Sequence, residues 1–378
     1  MDFSLNTQQQ ELKETVRELA KEKIAPIAAE VDEINHVSPE LMKILADAEL
    51  LKYTVPLEYG GFGINVTNLC IIREELSQVS GQADTDFIMQ GLGSFPITLG
   101  GTEEQKQKYL PPIANGESIA AFALTEPHAG SDVISMKTEA THEADNWVIN
   151  GSKKFISQAG DASTYTVFAK TDPEAGSRGI SCFIVEKGTP GFDDSRRMDL
   201  MAPHPVGEPV FKDCRIPYTN VLGEPGHGIR LALGTLNTFR TTVGAAAIGM
   251  AQAAYDAAVE YSKSRIVSGQ PLSELQATQF KLADMAVSLE AARLLCYKAA
   301  WLKDSGQENV IKEASYAKLF ATEAASRIIN EAVQIHGGAG LEKGARVEQL
   351  YREIRALTIY EGTSEVQRQT IARQILRD

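Results

Sequence analysis

The stretch Ile119-Ala120-Ala121-Phe122-Ala123-Leu124 marks the point at which the hydrophobic pattern of the chain changes. Before it, apolar residues such as Leu12, Val16 and Leu19 recur every three or four positions, which is the spacing of a buried helical face. After it come short runs, several of them β-branched or aromatic, separated by Gly, Pro, Asp and Asn, as in an all-β unit. From Ile229 the helical spacing returns and lasts to the end of the chain.

This order of patterns predicts an α+β multi-domain protein. We expect an N-terminal all-α domain over 1–118, a middle β domain over 119–230 folded as a small barrel or sandwich, and a C-terminal four-helix bundle over 231–378. A chain of 378 residues is long enough for two or three domains. A Rossmann fold is excluded, because strands and helices do not alternate and no G-x-G-x-x-G motif is present.

Local signals predict individual strands and turns. Asn150-Gly151 is a dipeptide typical of hairpin turns. Pro111-Pro112 is expected to end the helix that begins after Thr102. The strands are expected at Ala120–Leu124, Trp147–Asn150, Thr164–Ala169, Ile180–Val185, Val210–Phe211 and Asn220–Leu222.

Composition narrows the class of function. A formal net charge of -13 argues against a nucleic-acid surface, since neutralising phosphates requires clustered Lys and Arg. The longest apolar run, Val243 to Ala251, is about nine residues long, whereas a membrane-spanning helix needs about 20. The start of the chain has no signal-peptide pattern, and the four cysteines and six histidines show no metal-ligand spacing. We therefore expect a cytoplasmic protein with reduced cysteines, no metal and no membrane insertion.

A second informative stretch, Tyr360-Glu361-Gly362-Thr363-Ser364, lies near the end of the chain. The run before it lacks Gly and Pro and has a helical period, and Gly362 either ends that helix or lets the backbone pass close to another group. Ser364, with Gln367 three residues later, fits a capping box that opens another helix. Glu361 is thus expected at a junction between two helices, where burial would make its carboxylate a stronger base. The pattern leaves open the alternative that Glu361 is a solvated helix-end glutamate.

Several motifs together extend the interpretation to the whole chain. The segments Ala123–Asp132 and Asn150–Ser157, the run Gln334–Gly338 and the stretch Tyr360–Arg368 all resemble motifs of the acyl-CoA dehydrogenase family of flavoproteins, in the same order and spacing. The resemblance covers essentially all 378 residues and implies the same helix–sheet–helix architecture. It also implies that FAD binds between the β domain and the C-terminal bundle and that the substrate is an acyl-CoA thioester.

The resemblance assigns roles to individual residues. Thr125 and Ser131 would offer hydroxyls to the cofactor, and Gly130 would let backbone N–H groups approach it. Arg265, Gln276 and the run Gln334–Gly338 would reach the FAD of a neighbouring subunit, which implies a homotetramer. The residues implied to contact FAD are Phe122, Leu124, Thr125, Gly130, Ser131, Phe155, Ile156, Ser157, Arg265, Gln276, Gln334, Gly337, Gly338, Thr363 and Glu365. Those implied to contact the substrate are Ser131, Asn237, Arg240 and Gly362.

Glu361 matches the catalytic base of the family. The resemblance implies that it removes the proton alpha to the thioester carbonyl while a hydride passes to flavin N5, giving the trans-2-enoyl-CoA, with an electron-transfer flavoprotein as acceptor. Some relatives carry the base immediately before the residue that matches Arg240, but that position here is Phe239, which cannot accept a proton. Asn237 in place of an acid, with bulky Phe239, hints at short, branched or cyclic acyl groups.

Two other functions stay open at this point. A flavin oxidase of the same fold, such as an acyl-CoA oxidase or a nitroalkane oxidase, would pass electrons to oxygen. A non-catalytic acyl-CoA-binding helical scaffold would keep the motifs without the chemistry. Rapid oxidation of the reduced flavin in air would favour the oxidase, and a colourless purified protein would favour the scaffold.

Overall fold

A computed structural model describes residues 4–307 and 309–377 of the chain. Two structural units can be separated. The first, which we call the bundle unit, comprises 1–29, 65–84 and 239–378, and the second, the sheet unit, comprises 30–64 and 85–238. The predicted order of helices, sheet and helices along the chain is confirmed. The domain boundaries at 118 and 230 stay predictions.

In the part of the chain that the structure describes, six α-helices precede the sheet, and local signals account for several of their ends. Asn6 and Thr102 each form a capping box, with Gln9 and Gln105 respectively. A π-helical segment, Ala20–Ile24, follows the first helix. The α-helices are α1 (Thr7–Leu19), α2 (Ala25–Val31), α3 (Pro39–Asp47), α4 (Val66–Ser77), α5 (Gly81–Gly100) and α6 (Glu103–Ala114).

The expected end of α6 at Pro111-Pro112 is wrong, because the helix continues to Ala114. Both prolines lie in its last turn, and the carbonyl of Pro111 still accepts a hydrogen bond from the N–H of Asn115 at 3.1 Å. A proline removes its own N–H donor but keeps its carbonyl acceptor, so a final turn can be completed beyond it.

The middle of the chain forms an eight-stranded, mainly antiparallel sheet with the path β10-β6-β5-β2-β3-β9-β7 and with β1 paired parallel to β5. All six predicted strands are present, although β2, β4, β7 and β8 were not predicted and β9 is much longer than expected. The remaining strands, β4 and β8, pair with each other. The strands are β1 (Ala120–Ala123), β2 (Glu139–Glu143), β3 (Asn146–Ser152), β4 (Ile156–Ser157), β5 (Thr164–Lys170), β6 (Ile180–Glu186), β7 (Phe192–Asp193), β8 (Val206–Gly207), β9 (Val210–Pro217) and β10 (Val221–Leu222).

The predicted hairpin turn at Asn150-Gly151 is wrong, since both residues lie inside β3. The β3–β9 register shifts between Ile149 and Gly151, so the glycine marks an irregularity in the ladder. A Cβ atom on Gly151 would lie 2.5 Å from the Oγ1 atom of Thr138, which leaves no room for a side chain. Glycine is needed here for a close approach of backbone, and not for a turn.

Five α-helices follow the sheet within the described residues, and the three longest, α7 (Gly228–Ser264), α8 (Gln276–Asp304) and α9 (Ile311–His336), have buried faces rich in alanine. Small side chains let helices pack closely, and α8 and α9 pack against each other along much of their length in this core. The hairpin β11 (Ile266–Val267) and β12 (Gln270–Pro271) turns at Ser268-Gly269, where both φ angles are positive (50° and 84°). The helices are α7 (Gly228–Ser264), α8 (Gln276–Asp304), α9 (Ile311–His336), α10 (Arg346–Leu357) and α11 (Ser364–Ile375).

Two further observations concern the apolar character of the helices and the state of the cysteines. Across 4–307 and 309–377, no helix combines the length and apolar character that crossing a bilayer requires. The four cysteines are free and buried.

Candidate active site

Glu361 lies in the turn between α10 and α11, as the sequence predicts. Its φ angle is +52° and that of Gly362 is +93°, so two consecutive residues have left-handed backbone. For a residue other than glycine this conformation is strained, and such strain concentrates at functional sites. The cap of α11 differs from the prediction: Thr363 is the N-cap, accepting from the N–H of Val366 at 3.3 Å, and Ser364 is the first helical residue.

Two side chains donate hydrogen bonds to the carbonyl groups of this turn. The Nζ atom of Lys318, on α9, donates to the carbonyl oxygen of Gly362 at 2.8 Å. The Nε2 atom of Gln367 donates to the carbonyl oxygens of Glu361 at 3.2 Å and Gly362 at 3.0 Å. Gln367 therefore stabilises the turn by hydrogen bonds to its carbonyl groups, and it does not complete a capping box. The sequence signal for Lys318 is a lysine on the alanine-rich buried face of α9.

The carboxylate of Glu361 is in an unusual environment. Its Oε2 atom is buried and has no hydrogen-bond partner among the described residues. Burial raises the pKa of Glu361, and the nearby cations Arg73, Arg240 and Lys318 only partly counteract it, while Asp84 adds to the rise. A carboxylate that is desolvated but not hydrogen-bonded is a stronger base than one in water. The solvated alternative for Glu361 does not apply to this oxygen.

Arg73 and Asp84 form a buried ion pair in the same region, which the sequence did not predict. Arg73 donates from Nε and Nη2 to the two carboxylate oxygens of Asp84 at 2.7 and 2.6 Å, and from Nη1 to the hydroxyl of Thr242 at 2.9 Å. Both charged side chains are 2 % exposed. The attraction of Asp84 outweighs the desolvation of the guanidinium and raises the pKa of Arg73. Arg73 therefore stays charged near Glu361.

A cavity of about 320 Å³ opens at the N-terminus of α11. Its lining includes Thr363, Ser364 and Glu365 from α11 and its cap, together with Arg355 and Glu323. The hydroxyl of Ser364 is buried and has no partner among the residues described. The N-terminus of a helix, an arginine and a buried hydroxyl suit a phosphate-bearing group. Thr363 and Glu365, two of the predicted FAD contacts, line this cavity, and their contact with the cofactor stays a prediction.

In the sheet unit, the predicted FAD-binding residues lie on two neighbouring segments. Phe122 and Leu124 are buried, Thr125 is half-buried, and Gly130 and Ser131 are exposed. The backbone N–H of Lys154 donates to the carbonyl of Thr125 at 2.9 Å, which places the first segment beside the second. In the second segment, Ile156 is buried and Ser157 half-buried.

Phe155 is the most unusual residue of this group. It has a φ of +57° and is 53 % exposed, although it is a large apolar side chain. A left-handed, exposed aromatic residue gains nothing from the core and costs backbone energy. The Nζ atom of Lys154 lies over its ring, 5.5 Å from the centroid, and the ring is still exposed enough to pack against a planar system such as isoalloxazine.

A buried ion pair that the sequence did not predict joins these two segments. The Nζ atom of Lys153 donates to Oε1 of Glu126 at 2.8 Å and to the carbonyl of Leu124 at 3.1 Å. Glu126 also accepts from the N–H groups of Lys137 and Thr138 at 2.6 and 3.0 Å. Burial lowers the pKa of Lys153 to about 8 despite Glu126. Burial alone would raise the pKa of Glu126, but Lys153 and the two N–H groups outweigh it and lower it.

Most of the residues predicted to reach a neighbouring subunit are exposed in this chain, whereas Ile335 is buried and His336 half-buried. They belong to the bundle unit, where the ring of Tyr261 on α7 stacks on His336 on α9 at 4.3 Å. This contact brings the ends of α7 and α9 together. The exposed residues are Arg265, Gln276, Gln334, Gly337 and Gly338.

The predicted substrate contacts Asn237 and Arg240 lie three residues apart on α7. Asn237 is half-buried, and Arg240 is 8 % exposed. Burial lowers the pKa of Arg240, and Glu361 partly counteracts this. Between them, Phe239 is fully buried.

Comparison with known proteins defines the class. Three family models match consecutive parts of the chain: the acyl-CoA dehydrogenase N-terminal domain at 6–117, the middle domain at 121–214 and the C-terminal domain at 226–376. The chain therefore belongs to the acyl-CoA dehydrogenase family, and it has the helix–sheet–helix fold of that family. The predicted family and fold class are confirmed.

Named relatives are similar over nearly the whole chain. The mitochondrial short-chain specific acyl-CoA dehydrogenase of Homo sapiens is 43 % identical over 97 % of this chain and 90 % of its own length. The butyryl-CoA dehydrogenase of Megasphaera elsdenii has a TM-score of 0.95 and 39 % identity over the full length of both chains. A chain in a structure of the electron transferring flavoprotein of Acidaminococcus fermentans has a TM-score of 0.96 and 41 % identity, again over both full lengths.

The class of enzyme and its cofactor follow from these relatives. An acyl-CoA dehydrogenase of Bacillus anthracis, solved as a complex with FAD, has a TM-score of 0.92 and 32 % identity over 99 % of this chain and 68 % of that one. The protein is an FAD-dependent oxidoreductase that acts on acyl-CoA thioesters. Both predictions, of the enzyme class and of FAD, are confirmed.

Proposed function

We propose that Glu361 is the base that removes the α-proton of a bound acyl-CoA, and that the product is the trans-2-enoyl-CoA. The observation that supports this most directly is the buried Oε2 atom of Glu361, which has no hydrogen-bond partner among the described residues. An atom with this environment can accept a proton without first losing another partner. The raised pKa of Glu361 adds to its strength as a base.

The α-proton of a thioester is weakly acidic, so the developing negative charge on the carbonyl oxygen has to be stabilised. Each hydrogen bond to such an oxygen contributes roughly 3–4 kcal/mol, by analogy with oxyanion holes. The backbone N–H of Glu361 is the donor that we propose from this chain. The cations Arg73, Arg240 and Lys318 near Glu361 also favour negative charge in this region. After proton transfer the carboxyl group of Glu361 is neutral, and these cations favour its later deprotonation.

FAD, when bound, supplies the acceptor for the hydride that leaves the β-carbon. We propose that Thr125, Ser131 and Phe155 to Ser157 hold the cofactor in the sheet unit, and that Thr363 and Glu365 hold it at the cavity beside α11. Arg265, Gln276 and Gln334 to Gly338 would contact the FAD of a neighbouring subunit. The exposure of Arg265, Gln276, Gln334, Gly337 and Gly338 in the single chain supports this assignment.

For the substrate we propose a short, branched or cyclic acyl group, held with the help of Ser131, Asn237, Arg240 and Gly362. The similarity to a short-chain specific enzyme and to butyryl-CoA dehydrogenase supports a short chain. For the electron acceptor we propose an electron-transfer flavoprotein, supported by the similarity to a chain in a structure of such a flavoprotein. A cytoplasmic location is also proposed, because free cysteines suit a reducing compartment.

We also propose a homotetramer, for which α8 provides support. Four large apolar residues, Phe280, Val287, Leu294 and Trp301, recur at intervals of seven and are 60 %, 71 %, 45 % and 63 % exposed. A seven-residue spacing places them on one stripe of the helix. An exposed apolar stripe of this length is unfavourable in water and is typical of an interface. A second copy of the chain would cover it.

The test of the proposed base compares the wild type with Glu361→Gln by visible spectroscopy without oxygen. We expect butyryl-CoA to bleach the bound flavin of the wild type rapidly, whereas the variant should bind FAD equally well and bleach about 10²–10⁴-fold more slowly. Isovaleryl-CoA, cyclohexanecarboxyl-CoA and palmitoyl-CoA complete the substrate panel. Equal bleaching rates in both proteins would remove Glu361 as the base, and a clear preference for palmitoyl-CoA would remove the proposed acyl class.

A further inference from the structure

The turn that carries Glu361 has two carbonyl groups that no helix can satisfy. Glu361 and Gly362 lie between the last residue of α10 and the first residue of α11, and both have positive φ angles. A buried carbonyl without a donor is costly, and a left-handed non-glycine residue persists only where its surroundings enforce it. The groups that donate to these carbonyls therefore determine where the side chain of Glu361 points.

We propose that Lys318 and Gln367 are positioning residues, which together fix the left-handed turn on which Glu361 lies. This inference rests on the proposed role of Glu361 as the base. It assigns to two residues, on α9 and α11, a part in the reaction that does not require contact with substrate or cofactor.

Lys318 is a charged residue in the core, and its burial is unfavourable. Its hydrogen bond to the turn explains why a lysine is found at this position. Its side chain is fully buried, and its Nζ atom donates to the carbonyl of Gly362 at 2.8 Å. Burial of an ammonium group is unfavourable, and here it lowers the pKa of Lys318 to about 8. A leucine or methionine would suit this face of α9 better if packing were the only requirement.

Gln367 is the second donor and contacts both carbonyls. It is fully buried, and its amide group can serve the two oxygens only with Nε2, because a carbonyl accepts and does not donate. The site is also tightly packed: a Cβ atom on Gly362 would lie 2.6 Å from Nε2 of Gln367. Rotation of the Gln367 side chain would thus leave the Glu361 carbonyl without its side-chain donor and the Gly362 carbonyl with Lys318 alone.

The two residues differ in charge, which separates their effects. Glu361 is surrounded by Arg73 from α4, Asp84 from the start of α5, Arg240 from α7 and Lys318 from α9, and Tyr360 precedes it in the turn. Removing the cation at 318 raises the pKa of Glu361, whereas removing the neutral amide at 367 leaves the charges unchanged. Both changes loosen the turn.

The experiment uses the FAD-loaded enzyme with Lys318→Met, Gln367→Met and the control Lys281→Met. Lys281 is a partly exposed lysine of the same bundle unit, paired with Glu331. We expect kcat to fall about 10- to 100-fold in the Lys318 and Gln367 variants, with little change in KM, because misplacing a catalytic group affects the chemical step more than binding. Lys281→Met should match the wild type.

The pH profile supplies the readout that general loosening of the fold would not change. A base must be deprotonated to act, so its pKa sets the acidic limb of kcat/KM. In Lys318→Met this limb should move to higher pH, and in Gln367→Met it should stay. The same difference should appear in an infrared titration of the Glu361 carboxyl group, taken as each protein minus its Glu361→Gln counterpart. This second readout does not depend on turnover.

Three outcomes overturn the inference while the wild type remains active: an unchanged kcat in both variants, an unmoved limb in Lys318→Met, or an equal shift in both variants. If Lys318→Met fails to fold, Lys318→Arg replaces it. Lys318→Arg keeps the positive charge, so the acidic limb of its kcat/KM profile should stay in place, and Gln367→Met should still lower kcat. A wild type whose flavin is not bleached by any acyl-CoA contradicts the proposed function itself. The two failures are therefore distinguishable.

Discussion

Replacing Glu126 by Gln removes one charge from the buried pair that joins the two predicted flavin-binding segments. The substitution keeps the shape of the side chain but leaves the Lys153 ammonium without its counter-ion at 2.8 Å. It also places an amide NH2 group where the carboxylate accepts from the backbone N–H groups of Lys137 and Thr138. An amide has one acceptor oxygen, so at least one of these three donors loses its partner.

The structure allows an approximate magnitude. Breaking one partner of a buried ion pair costs about 3–5 kcal/mol of unfolding free energy. Lys153 limits this cost, because it can lose its proton. Its pKa falls from 10.5 to about 8 on folding, which corresponds to about 3 kcal/mol against the charged form even with Glu126 present. Without Glu126 the pKa falls further, and Lys153 becomes neutral in the folded variant at a lower pH.

The lowered pKa of Lys153 fixes the sign of a pH effect on stability. Where the unfolded chain binds more protons than the folded one, stability rises with pH. In the wild type this holds between about 8 and 10.5, and in Glu126→Gln the window begins below 8. The free energy of unfolding of the variant therefore increases as the pH rises towards 8. In the wild type, Lys153 does not change the free energy of unfolding over the same pH range. The stability difference between the two proteins should be largest near pH 6 and smaller at pH 9.

The assay is urea unfolding followed by tryptophan fluorescence at pH 6 and pH 9. The chain has two tryptophans, of which Trp147 lies in β3 and Trp301 in α8. Trp301→Phe in all proteins leaves Trp147 as a reporter of the sheet unit. The matched control is Glu143→Gln, which breaks an exposed pair with Arg215 in the same sheet and should cost under about 1 kcal/mol.

Two results would refute the reasoning. A loss below about 1 kcal/mol at pH 6, equal to the control, would mean that the Glu126–Lys153 pair does not stabilise the sheet unit. A loss that grows between pH 6 and pH 9 would have the wrong sign, and the charged state of Lys153 would then not be the cause.

Two further predictions concern the bundle unit. Gly362→Ala should lower kcat at least about tenfold, because a Cβ atom there would lie 2.6 Å from Gln367 on a left-handed backbone. The control Gly344→Ala also places a side chain at a positive φ, but no atom lies within 4 Å of its Cβ, so kcat should not change. Steady-state kinetics of both variants tests this prediction. Val287→Lys should reduce the mass of the assembly measured by light scattering, because it places a charge in the apolar α8 stripe. The control Val287→Ala should leave that mass unchanged. An unchanged mass for Val287→Lys would exclude the stripe as an interface.

Much of the fold was predictable because its signals are local. The 3.6-residue period, the capping residues Asn6 and Thr102 and the turn residues all act within a few positions of each other. The same locality placed Glu361 at a junction between helices. Errors occurred where a local signal competed with distant neighbours, as at Asn150-Gly151, where contact with Thr138 decides the conformation.

The sequence by itself determined the order of the helical and strand-rich segments, the position of Glu361 in a turn and, through its motifs, the family. It could not determine that the Oε2 atom of Glu361 is buried without a partner, or that Lys318 and Gln367 hold its backbone. Nor could it pair Arg73 with Asp84, or Glu126 with Lys153. Periodicity reports which residues share one face of one element, whereas desolvation and ion pairing depend on which faces meet, and only the packed structure brings those together.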